Sequence, residues 1–244
     1  MLPRPVLIAH RGAPVYGRNQ QNSITAFETA LQQGCDGIEF DLRRTACGQA
    51  VVCHDRKAGR ITVSRATRQQ LPKLPDLLEV IRRFGRRAFL DIELKECGLE
   101  TVVLACLREN PPEREYVVSS FLPEVVLELK ARSAVIPVGI ICGRPSQLMA
   151  WRKLPVEYVI VSHSLLTKRL VRAVHDSGRK IFVWTVNKRG AMIRFSGWEV
   201  DGIISDKADL LVRTLGKKEI PDPVSERQLR SAVRSSARIN PVAV

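Results

Sequence analysis

Four short polar clusters in this 244-residue chain carry groups suited to catalysis: His10-Arg11-Gly12, Glu39-Phe40-Asp41, His54-Asp55 and Asp91-Ile92-Glu93-Leu94-Lys95. In extended backbone, side chains two residues apart share a face. Glu39 therefore points with Asp41, and Asp91 points with Glu93 and Lys95. Carboxylates gathered on one face repel one another unless a cation neutralises them. An all-oxygen ligand set favours Mg2+ or Ca2+ over zinc. His10 and His54 supply imidazoles that titrate near neutral pH, as an acid/base pair requires. Arg11 and Lys95 add positive charge of the kind that holds a phosphate. A lone strand Glu-x-Asp is more often an exposed face or a structural ion pair than a metal site. Four such clusters, each at a strand end, are not explained by solvation.

The elements that must position these groups alternate β with α. Strands are expected at 6–10, 37–42, 50–54, 88–95, 116–120, 136–141, 158–162, 180–186 and 201–205. Several are near-continuous apolar runs, such as Tyr158-Val159-Ile160-Val161, which suit a parallel sheet covered on both faces. Helices are expected from Ser23 to Gln33, with Ser23 as cap and Gly34 as stop, and from Pro75 to Phe84, ended by Gly85. Nine strands exceed the eight of a closed barrel. The odd one is 50–54, because residues 42–49 are too few for a parallel crossover. It reads as a hairpin strand at the barrel mouth. The remainder predicts an α/β fold, a (β/α)8 TIM barrel over residues 1–215. Active sites of such barrels lie at the C-terminal ends of the strands, where all four clusters fall. Residues 216–244 read as a basic C-terminal tail, with Ser225 and Gln228 placed to open a short helix.

Composition narrows the classes. No apolar run is long enough to span a bilayer. The N-terminal apolar stretch is too short for a signal peptide and leads straight into His10-Arg11, so a cytoplasmic enzyme is expected. Cysteines 35, 47, 53, 97, 106 and 142 show no Cys-x-x-Cys or zinc spacing, and are expected as reduced, mostly buried thiols. The net charge is +14 with 5% aromatics. Few stacking platforms and no recognisable module argue against nucleic acid. Weak attraction to anionic membrane surfaces is the alternative use of the charge. Oligomeric state is not legible.

The chain resembles the glycerophosphodiester phosphodiesterases. The matching segments are Leu7-Ile8-Ala9-His10-Arg11-Gly12, Asn22-Ser23-Ile24-Thr25-Ala26-Phe27, Gly34 to Leu42, Thr45, Gly48, Val51-Val52-Cys53-His54-Asp55 and Ile92-Glu93-Leu94-Lys95. Later echoes are Ser119-Ser120-Phe121, Val183-Trp184-Thr185-Val186-Asn187 and Asp201-Gly202-Ile203-Ile204-Ser205-Asp206. The resemblance implies Glu39, Asp41 and Glu93 as ligands of a divalent cation, and His10 and His54 as the acid/base pair. It implies Arg11 and Lys95 as phosphate contacts and Trp184 as an aromatic lining a glycerol pocket. The implied reaction is hydrolysis of a small glycerophosphodiester to glycerol phosphate and an alcohol. Attack by the neighbouring hydroxyl through a cyclic phosphate is part of the same implication.

Two departures from the family pattern bear on this. Gln20-Gln21-Asn22-Ser23 stands where the family has Pro-Glu-Asn-Thr, so the acid near the metal becomes the neutral Gln21. The stretch between His54 and Pro75 is short, which leaves the leaving-group preference open. A lysophospholipase D-like or sphingomyelinase D-like activity shares the same barrel and histidine pair. A non-catalytic phosphodiester-binding barrel is the third reading, favoured only by Gln21. His163 and His175 match no family position and read as structural or surface residues.

Overall fold

A computed structural model describes residues 4–13 and 21–216. Apart from Gly216, the basic tail expected over 216–244 lies outside the described residues. The strands are β1 (Val6–His10), β2 (Gly37–Arg44), β3 (Ala50–Val52), β4 (Lys57–Ala58), β5 (Ile61–Thr62), β6 (Phe89–Leu94), β7 (Tyr116–Ser120), β8 (Val138–Cys142), β9 (Tyr158–Ser162), β10 (Lys180–Trp184) and β11 (Gly202–Ser205). The helices are α1 (Ile24–Gln32), α2 (Leu77–Phe84), α3 (Glu100–Glu109), α4 (Pro123–Arg132), α5 (Pro145–Leu148), α6 (Lys168–His175), α7 (Arg189–Ser196) and α8 (Ala208–Leu215). No helix among the described residues is long and apolar enough to cross a membrane.

Eight strands pair in parallel in the order β1, β11, β10, β9, β8, β7, β6, β2, and β2 returns to β1. The sheet is therefore a closed barrel. The β3 strand lies outside the ring, antiparallel to the end of β2 through Leu42↔Val52, Arg43↔Val51 and Arg44↔Ala50. This is the expected hairpin, and it explains why β2 runs two residues past the expected 37–42. The ladder stops at Val52 rather than residue 54, because the Cys53 amide turns to the Asp41 carbonyl. A further small ladder, β4 with β5, was not expected. With β3 it forms a lobe around Val51, Cys53, Val63, Ala66 and Leu71, which bury one another.

Local signals place the helices. Ser23 caps α1 by accepting from the Ala26 amide, and Gly34 ends it at φ +96°. The α2 helix starts at Leu77, two residues later than expected. Asp76 is its N-cap and accepts from the Glu79 amide at 2.9 Å. Pro75 and Asp76 are held extended: the Pro75 carbonyl takes the Val52 amide, and Asp76 bridges to Val51.

Strand alternation divides the core. Leu7, Ala9, Ile38, Phe40, Leu90 and Ile92 face outward into the helix layer. Ile8, Phe89, Val117, Ile141, Tyr158, Ile160, Phe182 and Ile204 face inward and pack together. Below the mouth, the rings of Phe89, Tyr158 and Phe182 stand 5.2–6.2 Å apart. Three bulky rings fit because glycines stand opposite them. A Cβ on Gly37 would meet Phe89, and one on Gly202 would lie 2.7 Å from the Phe182 ring. The aromatic plug fills the N-terminal half of the barrel, with Lys180 over the Tyr158 ring beneath it, and the carboxyl cluster lies at the other end.

All six cysteines are free. The expectation of mostly buried thiols fails in part: Cys35, Cys53 and Cys142 are buried, but Cys47 and Cys97 are exposed on loops at the barrel mouth.

Candidate active site

Register carries the polar groups to the mouth in two rows. His10, Glu39 and Asp91 are neighbours across β1, β2 and β6, and Asp41, Glu93 and Ser119 form the next row across β2, β6 and β7. All lie on the inward face. Glu39, Asp41 and Glu93 each place a carboxylate oxygen within 4.8 Å of the others. The three are 4%, 0% and 6% exposed, a burial that carboxylates tolerate only with compensation. Among the described residues Oε1 of Glu39 has no donor, and Oδ1 of Asp41 and Oε1 of Glu93 are met only by the Lys95 ammonium. The donor set is all oxygen, buried and short of positive charge, and so fits a hard divalent cation.

The strand ends are locked by tight local geometry. Arg11 and Asn22 both adopt positive φ, +58° and +55°. Such backbone costs about 1–3 kcal/mol for a side chain like arginine, and persists only where surrounding bonds over-determine it. Here the Arg11 amide donates to the Glu39 carbonyl at 2.9 Å and to its carboxylate at 3.0 Å. The Arg11 guanidinium stands 3.2 Å from Asp41. Asn22 donates to the Asp41 carboxylate at 2.7 Å and accepts from the Asp41 amide at 3.3 Å. Gly12 allows α1 to approach, since a Cβ there would meet the Ala26 backbone at 2.7 Å.

Electrostatics follow from this crowding. Burial, and then the charges of Asp41 and Glu93, push Glu39 well above the usual carboxylate range. Burial raises Glu93 to about 7 although Lys95 opposes it. Burial also raises Asp91 to about 7, against the 2.6 Å hydrogen bond it accepts from Ser119. Asp41 is the exception. Burial would raise it, but Lys95 and Arg11, helped by Asn22, hold it below the usual range. Lys95 lies 3.2 Å from Asp41 and 2.6 Å from Glu93. Two cations thus face a group of four buried carboxyls.

The two histidines flank the cluster. Nδ1 of His10 contacts Asp206 at 2.6 Å, and Nε2 lies 3.7 Å from Glu39. Nδ1 of His54 contacts Asp55 at 2.8 Å. Burial draws His54 below the usual imidazole range, against the pull of Asp55 and Asp41. The His54 loop is tied down by Arg43, which donates to the His54 carbonyl at 2.8 Å and pairs with Glu96. On the far side Trp184 packs edge-on to Phe121 at 5.4 Å, and Lys95 stands over the Phe121 ring. Among the described residues the indole N–H of Trp184 has no partner.

Buried carboxylates stand between two imidazoles, with cations beside them. The sequence profile of the glycerophosphoryl diester phosphodiesterase family matches residues 10–91 and 86–210. The chain belongs to this family. Among its relatives, Bacillus subtilis (strain 168) YhdW is 30% identical over 87% of this chain and 98% of its own length. The glycerophosphodiester phosphodiesterase of Caldanaerobacter subterraneus subsp. tengcongensis is 28% identical over 88% of this chain and 99% of its own. Solved structures share the fold. The Thermotoga maritima glycerophosphodiester phosphodiesterase superposes with a TM-score of 0.75 at 24% identity, covering 86% of this chain and 98% of that one. An Oleispira antarctica phosphodiesterase solved with the product sn-glycerol-3-phosphate gives 0.76 at 21% identity, covering 87% and 96%.

Within this phosphodiesterase framework the structure brings His10, Arg11, Glu39, Asp41, Glu93 and Lys95 into one cluster. His54 and Trp184 stand at its rim. Gln21 is exposed, and its hydrogen bond to Arg11 is long at 3.5 Å. It faces the guanidinium rather than the carboxylates. His163 is exposed after β9, and His175 pairs with Asp201 at 2.9 Å, away from the mouth.

Two residues carry more than the sequence reading gave them. Asp206 orients His10, and is itself held by Asn187, which donates to its carboxylate at 2.7 Å and accepts its amide at 2.9 Å. Asn22 positions Asp41. The available signal for Asp206 was its two-residue spacing from the inward-facing Ile204, which puts it on the inner face at a strand end.

Proposed function

We propose that this phosphodiesterase hydrolyses glycerophosphodiesters to glycerol phosphate and an alcohol, with Glu39, Asp41 and Glu93 holding Mg2+ or Ca2+. The observation that carries the reading is the set of three buried carboxylates, with one oxygen of each within 4.8 Å of the others, flanked by His10 and His54. A divalent cation bound there would place Lewis-acid charge against the phosphoryl oxygens. Arg11 and Lys95 bind the same oxygens as fixed cations in a partly water-excluded cup, where such charge is worth more than in bulk water. Asp206 holds the Nδ1 proton of His10, so that Nε2 faces the site and exchanges protons there. His54 is the second proton-transfer group, its Nδ1 fixed by Asp55. One imidazole takes the proton of the attacking hydroxyl and the other delivers one to the departing alkoxide. Trp184 and Phe121 form an apolar wall for the carbon skeleton of the glycerol group. The charge of +14 favours contact with anionic surfaces on the same reading.

The test is a panel of glycerophosphocholine, glycerophosphoethanolamine, glycerophosphoinositol and a lysophospholipid, assayed for released glycerol phosphate. Glycerol phosphate is expected from the water-soluble diesters. Chelation abolishes its release, and Mg2+ or Ca2+ restores it. Release of the free headgroup from the lysophospholipid alone would transfer the chain to the lysophospholipase D-like reading. Full turnover in protein shown metal-free by elemental analysis would remove the cation.

Gln21 supplies a separate expectation. A carboxylate beside Arg11 would add negative charge at the cluster's edge, weakened there by solvent. Gln21→Glu therefore tightens the apparent metal affinity. Metal titrations of activity in the two proteins decide this, and superimposable curves would take Gln21 out of the site.

A further inference from the structure

The lobe beside the active site carries a charge pattern that catalysis does not use. Residues 56–75 contain six cations (Arg56, Lys57, Arg60, Arg65, Arg68 and Lys73) and no Asp or Glu. Arg68 is occupied, donating to the Leu71 and Leu74 carbonyls. The other five are exposed, and among the described residues none makes an ion pair or a side-chain hydrogen bond. Some arginines elsewhere on the described surface find partners, Arg83 with Glu79, Arg86 with Glu113, Arg87 with Glu28 and Arg132 with Glu128, but within 56–75 no carboxylate is present to offer one. Unpaired cations concentrated on one lobe repel one another, and nothing in the fold requires them.

The lobe also presents an apolar tip. The β4–β5 hairpin turns at Gly59, φ +61°, and Ile61 beside the turn is 42% exposed. Arg56, Lys57, Arg60 and Arg65 lie within a few residues of it. An apolar tip ringed by cations suits an interface of anionic headgroups over acyl chains. It suits nucleic acid less well, because residues 45–76 contain no Phe, Tyr or Trp on which a base could stack.

We propose that this lobe docks the barrel, mouth first, on bilayers containing anionic phospholipid. The lobe stands on the extension of β2 beyond the barrel rim and includes His54, so docking sets the catalytic cup against the lipid surface. The proposal does not depend on which phosphodiester the cup cleaves.

The experiment is vesicle co-sedimentation of the full chain with phosphatidylcholine vesicles and with vesicles containing about 30% phosphatidylglycerol. Each cation near such a surface is worth about fivefold in partitioning. Native protein is expected to pellet with the anionic vesicles alone, and to be released by raising the salt well above physiological strength. The triple variant K57E/R60E/R65E is expected to lose about a hundredfold or more in partitioning. Its turnover of glycerophosphocholine should stay native, since none of these side chains touches the cup, and that assay also certifies its fold. Ile61→Ser is expected to weaken binding more modestly while leaving the salt dependence in place. Equal binding to neutral vesicles, or undiminished binding by the folded triple variant, would overturn the proposal. So would binding of a fluorescent RNA that is lost in the triple variant, while native protein stays in the supernatant when the anionic vesicles are pelleted.

Discussion

Replacing either His10 or His54 with alanine is expected to lower kcat on glycerophosphocholine by roughly 10²–10⁴-fold, the range for a positioned proton-transfer group. Folding should survive both changes. The His10 side chain is 14% exposed and that of His54 is 37% exposed, so neither truncation opens a closed apolar core. Asp206 keeps its Asn187 bonds when His10 is removed. A nitrophenyl ester separates the two roles, because its leaving group needs no proton. The variant lacking the general acid recovers on that ester, and the variant lacking the base does not. Circular dichroism and the unfolding midpoint check the fold. A variant that turns over glycerophosphocholine at the native rate would remove that histidine from the chemistry.

Glu39→Gln is expected to move activity and stability in opposite directions. Loss of one anionic ligand should reduce turnover by about 10²–10³-fold, since a catalytic cation contributes several kcal/mol. The metal-free protein should become more stable. Burial and the neighbouring Asp41 and Glu93 raise the proton affinity of Glu39 in the folded state. Folding therefore binds protons. The stability linked to this group is fully present below the ordinary carboxylate value and is lost as pH rises through the folded one. Glutamine is neutral at every pH and escapes the loss. In chelator at pH 8, the variant should melt at least about 2–4 °C higher, the shift that ~1 kcal/mol gives a domain of this size. Near pH 4 the two melting curves should meet. A variant no more stable than native at pH 8 would show that the carboxyls do not strain one another.

The fold was legible where one physical cause dominates. A parallel strand covered on both faces must be apolar throughout, so Tyr158-Val159-Ile160-Val161 declares itself. The odd strand was legible because the eight residues from 42 to 49 cannot contain a crossover. The carboxylate cluster was legible because two-residue spacing fixes a shared face for Glu39 with Asp41, and register then sets Asp41 beside Glu93. Contacts between distant elements were not. Asn22 reaches Asp41 only because Arg11 and Asn22 turn through positive φ, which no periodicity signals. The glycines at 37 and 202 read as ordinary strand punctuation until Phe89 and Phe182 are seen against them. Helix α2 began late because Pro75 and Asp76 are recruited by the hairpin strand, a demand made by a partner more than twenty residues earlier in the chain.

The seam where the barrel closes has a consequence for biosynthesis. The first strand is bordered by the last, Val6 by Gly202, and the same seam joins His10 to Asp206 across 196 residues. A nascent chain leaving the ribosome can build its middle β/α units one after another, but it must hold its first strand open on one side until the last has emerged. The orienting partner of His10 arrives with that final strand. On the proposed reading, proton transfer is completed in the same event that seals the sheet, and a chain whose β11 has not yet emerged lacks the partner that orients His10.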